Sequence, residues 1–282
     1  SFKGKLHSRT LESLVKEVTN LVKKGYKDFS FVSQDSSSYL RDLGHNDGLE
    51  QLIDAVEKID GVKTARILYL YPSTTTLNLI DKIADSKVFV NYFDMPLQHI
   101  SQNMLKIMKR GKGAEKLIEL MNYMRSKPNS FVRTTFIAGH PGESEEDFEE
   151  LCSFVEEFGF DRGNVFSYSD EEGTSAETRD DKIEQELIDE RAEILGDIIS
   201  QTTIKSLEND IGKSFEVYID GESEEHEYLL SARKTIWAPQ IDGEIYINDN
   251  EDNIPIVFGE IYEVEATQLA GDKLLAKIIR KV

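Results

Sequence analysis

The chain has 282 residues, 39% of them hydrophobic and 30% charged, enough for one large domain and a smaller one. Its formal net charge is −20, from 33 basic and 53 acidic residues, a balance that repels phosphate and argues against nucleic acid as the main partner. The apolar runs span only a few residues against the roughly 20 that a membrane helix needs, no signal-peptide core opens the chain, and a cytoplasmic location without membrane contact is expected.

In chain order, Leu11, Leu14, Val15, Val18 and Leu21 recur at helical spacing after Thr10, and Gly25 stands where a C-cap glycine belongs. A strand is predicted over 29–33, a helix over 49–59 with Leu49, Leu52, Ile53 and Val56 inward, and a strand over 65–70. The alternation continues with a helix over 77–84, a strand over 88–91, helices over 101–110 and 114–125, and a strand over 131–138. An acidic helix over 145–158 and a strand over 164–168 complete the series.

Five strands alternating with helices predict an α/β fold, a partial (β/α) TIM-like barrel of parallel strands whose chemistry sits on the loops at the strands' carboxyl ends. Those loops are 34–39, 71–73, 95–99, 139–143 and 169–174, and they are rich in polar side chains. A long acidic helix over 180–209, with Ile183, Leu187, Leu195, Ile198 and Ile199 inward, reads as a connector. Beyond it, short strands at 215–219, 228–231, 244–247, 261–266 and 274–279, separated by Gly and Asn/Asp turns, predict a small antiparallel five-stranded β-barrel of OB-like type. The domains are therefore expected at 1–211 and 212–282, with the boundary near Gly212.

Local features add little chemistry of their own. Ser144 with Glu145, Glu146 and Asp147 is a helix start, and Cys152, the single cysteine, falls on the apolar face made by Phe148, Leu151, Val155 and Phe158. One cysteine excludes an internal disulfide framework and builds no metal site alone. The run Lys106, Lys109, Arg110 and Lys112 complements a helix C-terminus and reads as a solvated helix end. His99 and His140 close neighbouring strands, but a metal pair there lacks a third ligand. Pro141-Gly142 is a turn leading into a helix start, whose N–H groups suit an anionic group. The residues by themselves reach a fold and a polar face, and stop short of a reaction.

Taken as a set, SFKGKLHSR, SQDSSSY, LYLYP, DMPLQHIS with MKRG, RTTFIAGHPGESEEDF and VFSYSDEEGTSAE resemble the radical S-adenosylmethionine (SAM) methylthiotransferases over nearly the whole chain. SARKTIWAPQIDGEIYI resembles the TRAM domain that ends those enzymes. Asp170-Glu171-Glu172-Gly173-Thr174 stands where the branch acting on transfer RNA carries a proline-rich loop, and residues 212–282 hold 7 Lys/Arg against 15 Asp/Glu, a net −8. Both features favour the branch that methylthiolates the β-carbon of an aspartate in ribosomal protein S-twelve, a basic partner expected on the small ribosomal subunit, over the transfer RNA branch. The alternative of another class is a non-catalytic partner-binding module.

The resemblance implies SAM and two 4Fe-4S clusters as cofactors of the full-length protein. The family's C-x-x-x-C-x-x-C cysteines and its N-terminal cluster domain are absent from these 282 residues, so no metal ligand is assigned and the chain is expected to be an inactive piece of a longer enzyme. His140 replaces the phenylalanine usual in GFPGE. By strand order the resemblance implies Gln34 and Asp35 facing the methionine amine, Arg133 its carboxylate or the ribose, and the backbone from Phe166 to Tyr168 the adenine. Gln98 joins these as a cofactor-binding residue, and Tyr71, Pro96, His99 and Glu172 as substrate or site-floor residues; no catalytic residue is named.

Overall fold

A computed structural model of the protein describes residues 4–111, 113–250 and 253–282, so Lys112 and the first three residues of the SFKGKLHSR stretch lie outside the described residues. The chain divides into two compact units, 1–199 and 200–282.

In the first unit α1 (Leu11–Lys23) leads into β1 (Asp28–Phe31), and α2 (Gly48–Val56), β2 (Thr64–Ile67), α3 (Leu77–Ala84) and β3 (Phe89–Asp94) follow. The second half runs through α4 (Gln102–Ile107), α5 (Ala114–Arg125), β4 (Phe131–Ala138), α6 (Glu145–Phe158), β5 (Arg162–Ser167) and the long α7 (Gln185–Glu208), whose last residues belong to the second unit. The sheet order is β1-β2-β3-β4-β5, every pairing parallel, as the strand–helix alternation predicts. It is an open, curled half-barrel.

Helices begin where a hydroxyl can satisfy an orphan amide: Thr10, Thr76 and Ser101 each accept from a backbone N–H in the following turn. Their apolar faces meet the sheet in one core that includes Ile53, Val56, Ile67, Ile80, Phe93, Val132, Phe136, Leu151 and Phe160. All four residues of β2 are buried, Arg66 among them, and its guanidinium is neutralised by Asp28 at 2.7 Å.

Two boundaries differ from the sequence pattern for identifiable reasons. Lys109 adopts φ 56° and the Arg110 amide donates to the Leu105 carbonyl at 2.8 Å, which closes α4 early and swings Arg110 off the helix. Helix α7 starts at Gln185 because Asp181 offers its carbonyl to the Gly142 amide at 3.0 Å, tying the preceding segment to the loop after β4. Gly139, at φ 79° after β4, has space for no side chain: a Cβ there would lie 2.6 Å from Ile188 of α7.

The second unit is a closed barrel of β6 (Ser214–Glu222), β7 (Leu230–Lys234), β8 (Ile245–Asp249), β9 (Ile261–Ala270) and β10 (Lys273–Lys281), in the order β10-β8-β7-β6-β9. Alternate residues such as Val217, Ile219, Ile245, Tyr262, Val264, Leu274 and Ala276 fill it. Four pairings are antiparallel and one, β10 with β8, is parallel. A ring of five strands cannot alternate direction all the way round, so closure itself requires the parallel pair.

Asp147 joins the loop after β3 to the start of α6. It accepts from Ser101 Oγ, from Asn103 Nδ2 at 2.8 Å and, in a capping box, from the Ser144 amide at 3.1 Å. Burial pushes its carboxyl upward, yet the hydrogen bonds from Ser101, Asn103 and Ser144 prevail and hold it below the usual carboxylate range. That stabilisation is present above the unfolded-state value, near pH 4, and is lost as pH falls through the lower folded-state value. Asp147→Asn should therefore lose about 1–3 kcal/mol at pH 7. In thermal melts of the two proteins the gap should close below about pH 4.

Candidate functional site

At the carboxyl ends of the parallel strands a cavity of about 590 Å³ opens, lined by Gln34, Tyr69, Tyr71, Pro96, Gln98, Arg110, Arg133, Asn164 and Phe166 among others. A second cavity of about 530 Å³ shares Gln98, Arg110 and Phe166 with it and extends to His140, Tyr168, Glu171 and Thr174. Each strand end thus contributes at least one side chain to a continuous polar region.

Two of those ends turn through the left-handed backbone region at residues other than glycine: Tyr69 after β2, with φ 58°, and Gln98 after β3, with φ 72°. Such conformations persist only where the surroundings hold them. Tyr69 donates its amide to Asp94 Oδ2 at 3.0 Å and accepts from the Ser36 amide at 3.0 Å. Gln98 is stapled to β4 on both sides, its amide donating to the Thr135 carbonyl at 2.8 Å and its carbonyl accepting from the Ile137 amide at 2.9 Å. Its side-chain Oε1 is buried without a hydrogen-bond partner. An unsatisfied buried acceptor beside a cavity marks a place where a ligand donor belongs.

Asp94 has no exposure to water, and its carboxylate bridges the Tyr69 amide and Arg133 Nη1, the latter at 3.1 Å. Burial pushes the Asp94 carboxyl above its ordinary value; Arg133 and the Tyr69 amide oppose that push without reversing it. Arg133 therefore enters the cavity already paired. Arg110 differs: it stacks on the Tyr71 ring at 5.2 Å, and among the described residues no carboxylate pairs with it. In a chain with 53 acidic residues, an arginine without a carboxylate partner stands out.

Of the expected site residues, Gln34, Tyr71, Pro96, Gln98, Arg133 and Phe166 line the first cavity, and Tyr168 lines the second. Asp35 does not. Its carboxylate accepts from Ser37 Oγ at 2.7 Å and from Ser38 Oγ at 2.5 Å, shaping the turn that follows Gln34. Glu172 is exposed in the loop after β5, where its neighbour Glu171 reaches the second cavity. His99 is turned into the protein: its ring is wholly buried, with Nε2 3.2 Å from Glu143 Oε1, and it lines neither cavity. His140 packs edge-on against Tyr168 at 5.0 Å, and burial pushes its imidazole pKa down. Tyr168 donates to Asp170 at 2.8 Å, and burial together with that carboxylate pushes its phenol up to about 12. Asn164 and Arg110 were not singled out as site residues by sequence reasoning. An arginine three residues past the end of a short helix, beside Gly111, was the available signal.

In the second unit a cleft of about 830 Å³ is lined by Asp220, Glu222, Glu224, Glu225 and Glu244 together with Arg233 and Lys273. Lys273 is bound to Glu225 at 2.7 Å and Glu244 at 3.2 Å, so the carboxylates in excess set the sign of this cleft.

Residues 1–155 match the Radical SAM superfamily and residues 211–279 the TRAM domain. A relative from Aliarcobacter butzleri (strain RM4018), ribosomal protein uS12 methylthiotransferase RimO, is 78% identical over 282 residues, covering 99% of this chain and 63% of its own length. The protein of the same name from Sulfurovum sp. (strain NBC37-1) is 60% identical over 281 residues, covering 100% of this chain and 64% of its own length. The chain thus spans under two thirds of these relatives. Among solved structures, coproporphyrinogen III oxidase (HemN) from Escherichia coli, described as a radical SAM enzyme, superposes with a TM-score of 0.53 at 15% identity, over 96% of this chain and 64% of that one. At that identity the likeness is one of fold.

The Asp94–Arg133 pair should behave as a buried ion pair. Asp94→Ala strands the Arg133 charge and should cost about 3–5 kcal/mol in urea unfolding, whereas Asp94→Leu combined with Arg133→Met should recover most of the loss. Additive losses in the double variant would show that the two residues act separately.

Proposed function

The chain belongs to the radical SAM superfamily, and on that premise we propose that it is the cofactor-binding and substrate-facing part of a methylthiotransferase that modifies the β-carbon of an aspartate in ribosomal protein uS12. The observation that carries this reading is 78% identity, sustained across 282 residues, to a protein with that activity in its name. Its setting is the cytoplasm, where the basic substrate is made and assembled. Among the described residues no helix is long and apolar enough to cross a membrane.

The first cavity suits S-adenosylmethionine in size and in its donor set. Gln98 Oε1, buried without a partner, is placed for the ammonium group, with Gln34 at the rim beside it. Arg110 is the guanidinium available for the carboxylate, and Arg133 and Asn164 are placed for the ribose. Phe166 and Tyr71 offer ring faces to the adenine. The cofactor supplies the hydrogen-abstracting and group-donating chemistry, and the chain binds it, orients it and keeps water out. An iron–sulfur cluster does not fit the side chains present here. Cys152 sits half-buried on α6 with its thiol pushed up to about 11, chiefly by burial, and among the described residues no group of three or more His, Cys, Asp or Glu side chains is arranged around a metal position. Cluster ligands belong to the rest of the full-length protein in this reading.

The second cavity, continuous with the first at Gln98, Arg110 and Phe166, is where the acceptor side chain would enter. The acidic cleft of the barrel unit suits a basic protein and repels a phosphate backbone, so it steers encounter toward uS12 and away from transfer RNA.

Two measurements test the proposal. Titrated by calorimetry with S-adenosylhomocysteine, the chain should bind, and Arg110→Ala should weaken binding about 10- to 100-fold through loss of a charge-assisted contact. Unchanged affinity would remove Arg110 from the site. The full-length protein, assayed anaerobically, should modify uS12 and leave transfer RNA untouched; the opposite preference would overturn the substrate assignment.

A further inference from the structure

His99 and Glu143 touch neither cavity, and both side chains have no exposure to water. Their hydrogen bonds nevertheless define a single arrangement. His99 Nδ1 accepts from the Ser101 amide at 3.0 Å, which leaves the ring proton on Nε2, 3.2 Å from Glu143 Oε1. The other Glu143 oxygen accepts from the Gly139 amide at 2.9 Å and from Arg191 Nη1 at 2.7 Å. Arg191 in turn donates to Glu145 Oε2 at 2.8 Å and lies over the Phe148 ring at 5.1 Å. One carboxylate therefore joins the loop after β3, the loop after β4 and helix α7.

The residue directly before His99 is Gln98, held at φ 72° with its side chain lining the cavity and its Oε1 unsatisfied. Its neighbours on the strand side, Met95 and Leu97, are wholly buried and fix that approach. The Gln98 backbone stays held by its bonds to Thr135 and Ile137 of β4, so release of the His99 ring would loosen the orientation of the Gln98 side chain rather than its backbone. We propose that Glu143 and His99 are positioning residues that act through Gln98: the buried pair holds the Gln98 amide in the cavity and so sets the affinity of a site it never contacts. This deepens the cofactor reading above and rests on it.

Two isosteres separate the two ends of the ring. Glutamine in place of His99 keeps a donor near the Nε2 position for Glu143; asparagine keeps an acceptor near Nδ1 for the Ser101 amide and falls short of Glu143. With S-adenosylhomocysteine as the calorimetric probe, His99→Asn should bind about 10-fold more weakly than wild type, and His99→Gln within about threefold. In a Gln98→Ala background, His99→Asn should cause no further loss of affinity while still lowering the melting temperature. The Gln98 side-chain amide in the free chain should be rigid on the nanosecond timescale in wild type and His99→Gln, and mobile in His99→Asn. If His99→Asn is too unstable to purify, Glu143→Gln, of the same shape without the charge, gives the same comparison. An equal loss of affinity with and without Gln98, or a Gln98 amide that stays rigid in the variants, would overturn the positioning role. A wild-type chain that does not bind the probe would count against the cofactor reading, and the mobility of Gln98 would still decide this one.

Discussion

A carboxylate withdrawn from water must be met by donors or the fold pays for an uncompensated charge, and the parallel sheet places two such carboxylates, Asp94 and Glu143, at its functional rim. Asp94 bridges Tyr69 and Arg133; Glu143 bridges His99, Gly139 and Arg191. Breaking a buried pair of this kind costs about 3–5 kcal/mol, while one left-handed non-glycine residue costs about 1–2 kcal/mol. The pairs therefore outweigh the strain at Tyr69 and Gln98, and the cavity walls are fixed before any ligand arrives.

The elements of this fold were legible because each strand and helix carries its own period. Phe131–Ala138 reads as a strand from its β-branched and aromatic run, and Glu145–Phe158 as a helix from Ser144 and the apolar stripe behind it. The closed barrel was likewise legible from short strands between turn residues. What the sequence could not convey was which polar residues find one another across 30 to 50 positions. His99 has the same local pattern whether it faces a cavity or Glu143, which lies 44 residues away. Asp35 stands at a strand end like a ligand residue, yet its neighbours Ser37 and Ser38 engage it locally. Arg110 looked like a solvated helix end because its role depends on Lys109 turning left-handed and on Tyr71 from another loop.

Charge and chemistry are divided between the two units. The cavity of the first unit holds a guanidinium and an unsatisfied amide oxygen, while the cleft of the barrel is rich in carboxylates. The Radical SAM match over residues 1–155 and the TRAM match over residues 211–279 fall on these same two kinds of surface. In the reading proposed here the first would take the cofactor and the second would face a basic protein substrate.

The central claim is that the strand-end cavity, pre-formed by its buried pairs, is a ligand site. It is tested most directly by mapping backbone amide shifts of the isotope-labelled chain as S-adenosylhomocysteine is added. The account predicts changes centred on Tyr69, Tyr71, Gln98, Arg110 and Phe166, with the barrel residues of 214–281 unmoved. Changes centred instead on the cleft around Glu244 and Lys273, or a silent Gln98 and Arg110 at saturation, would contradict it.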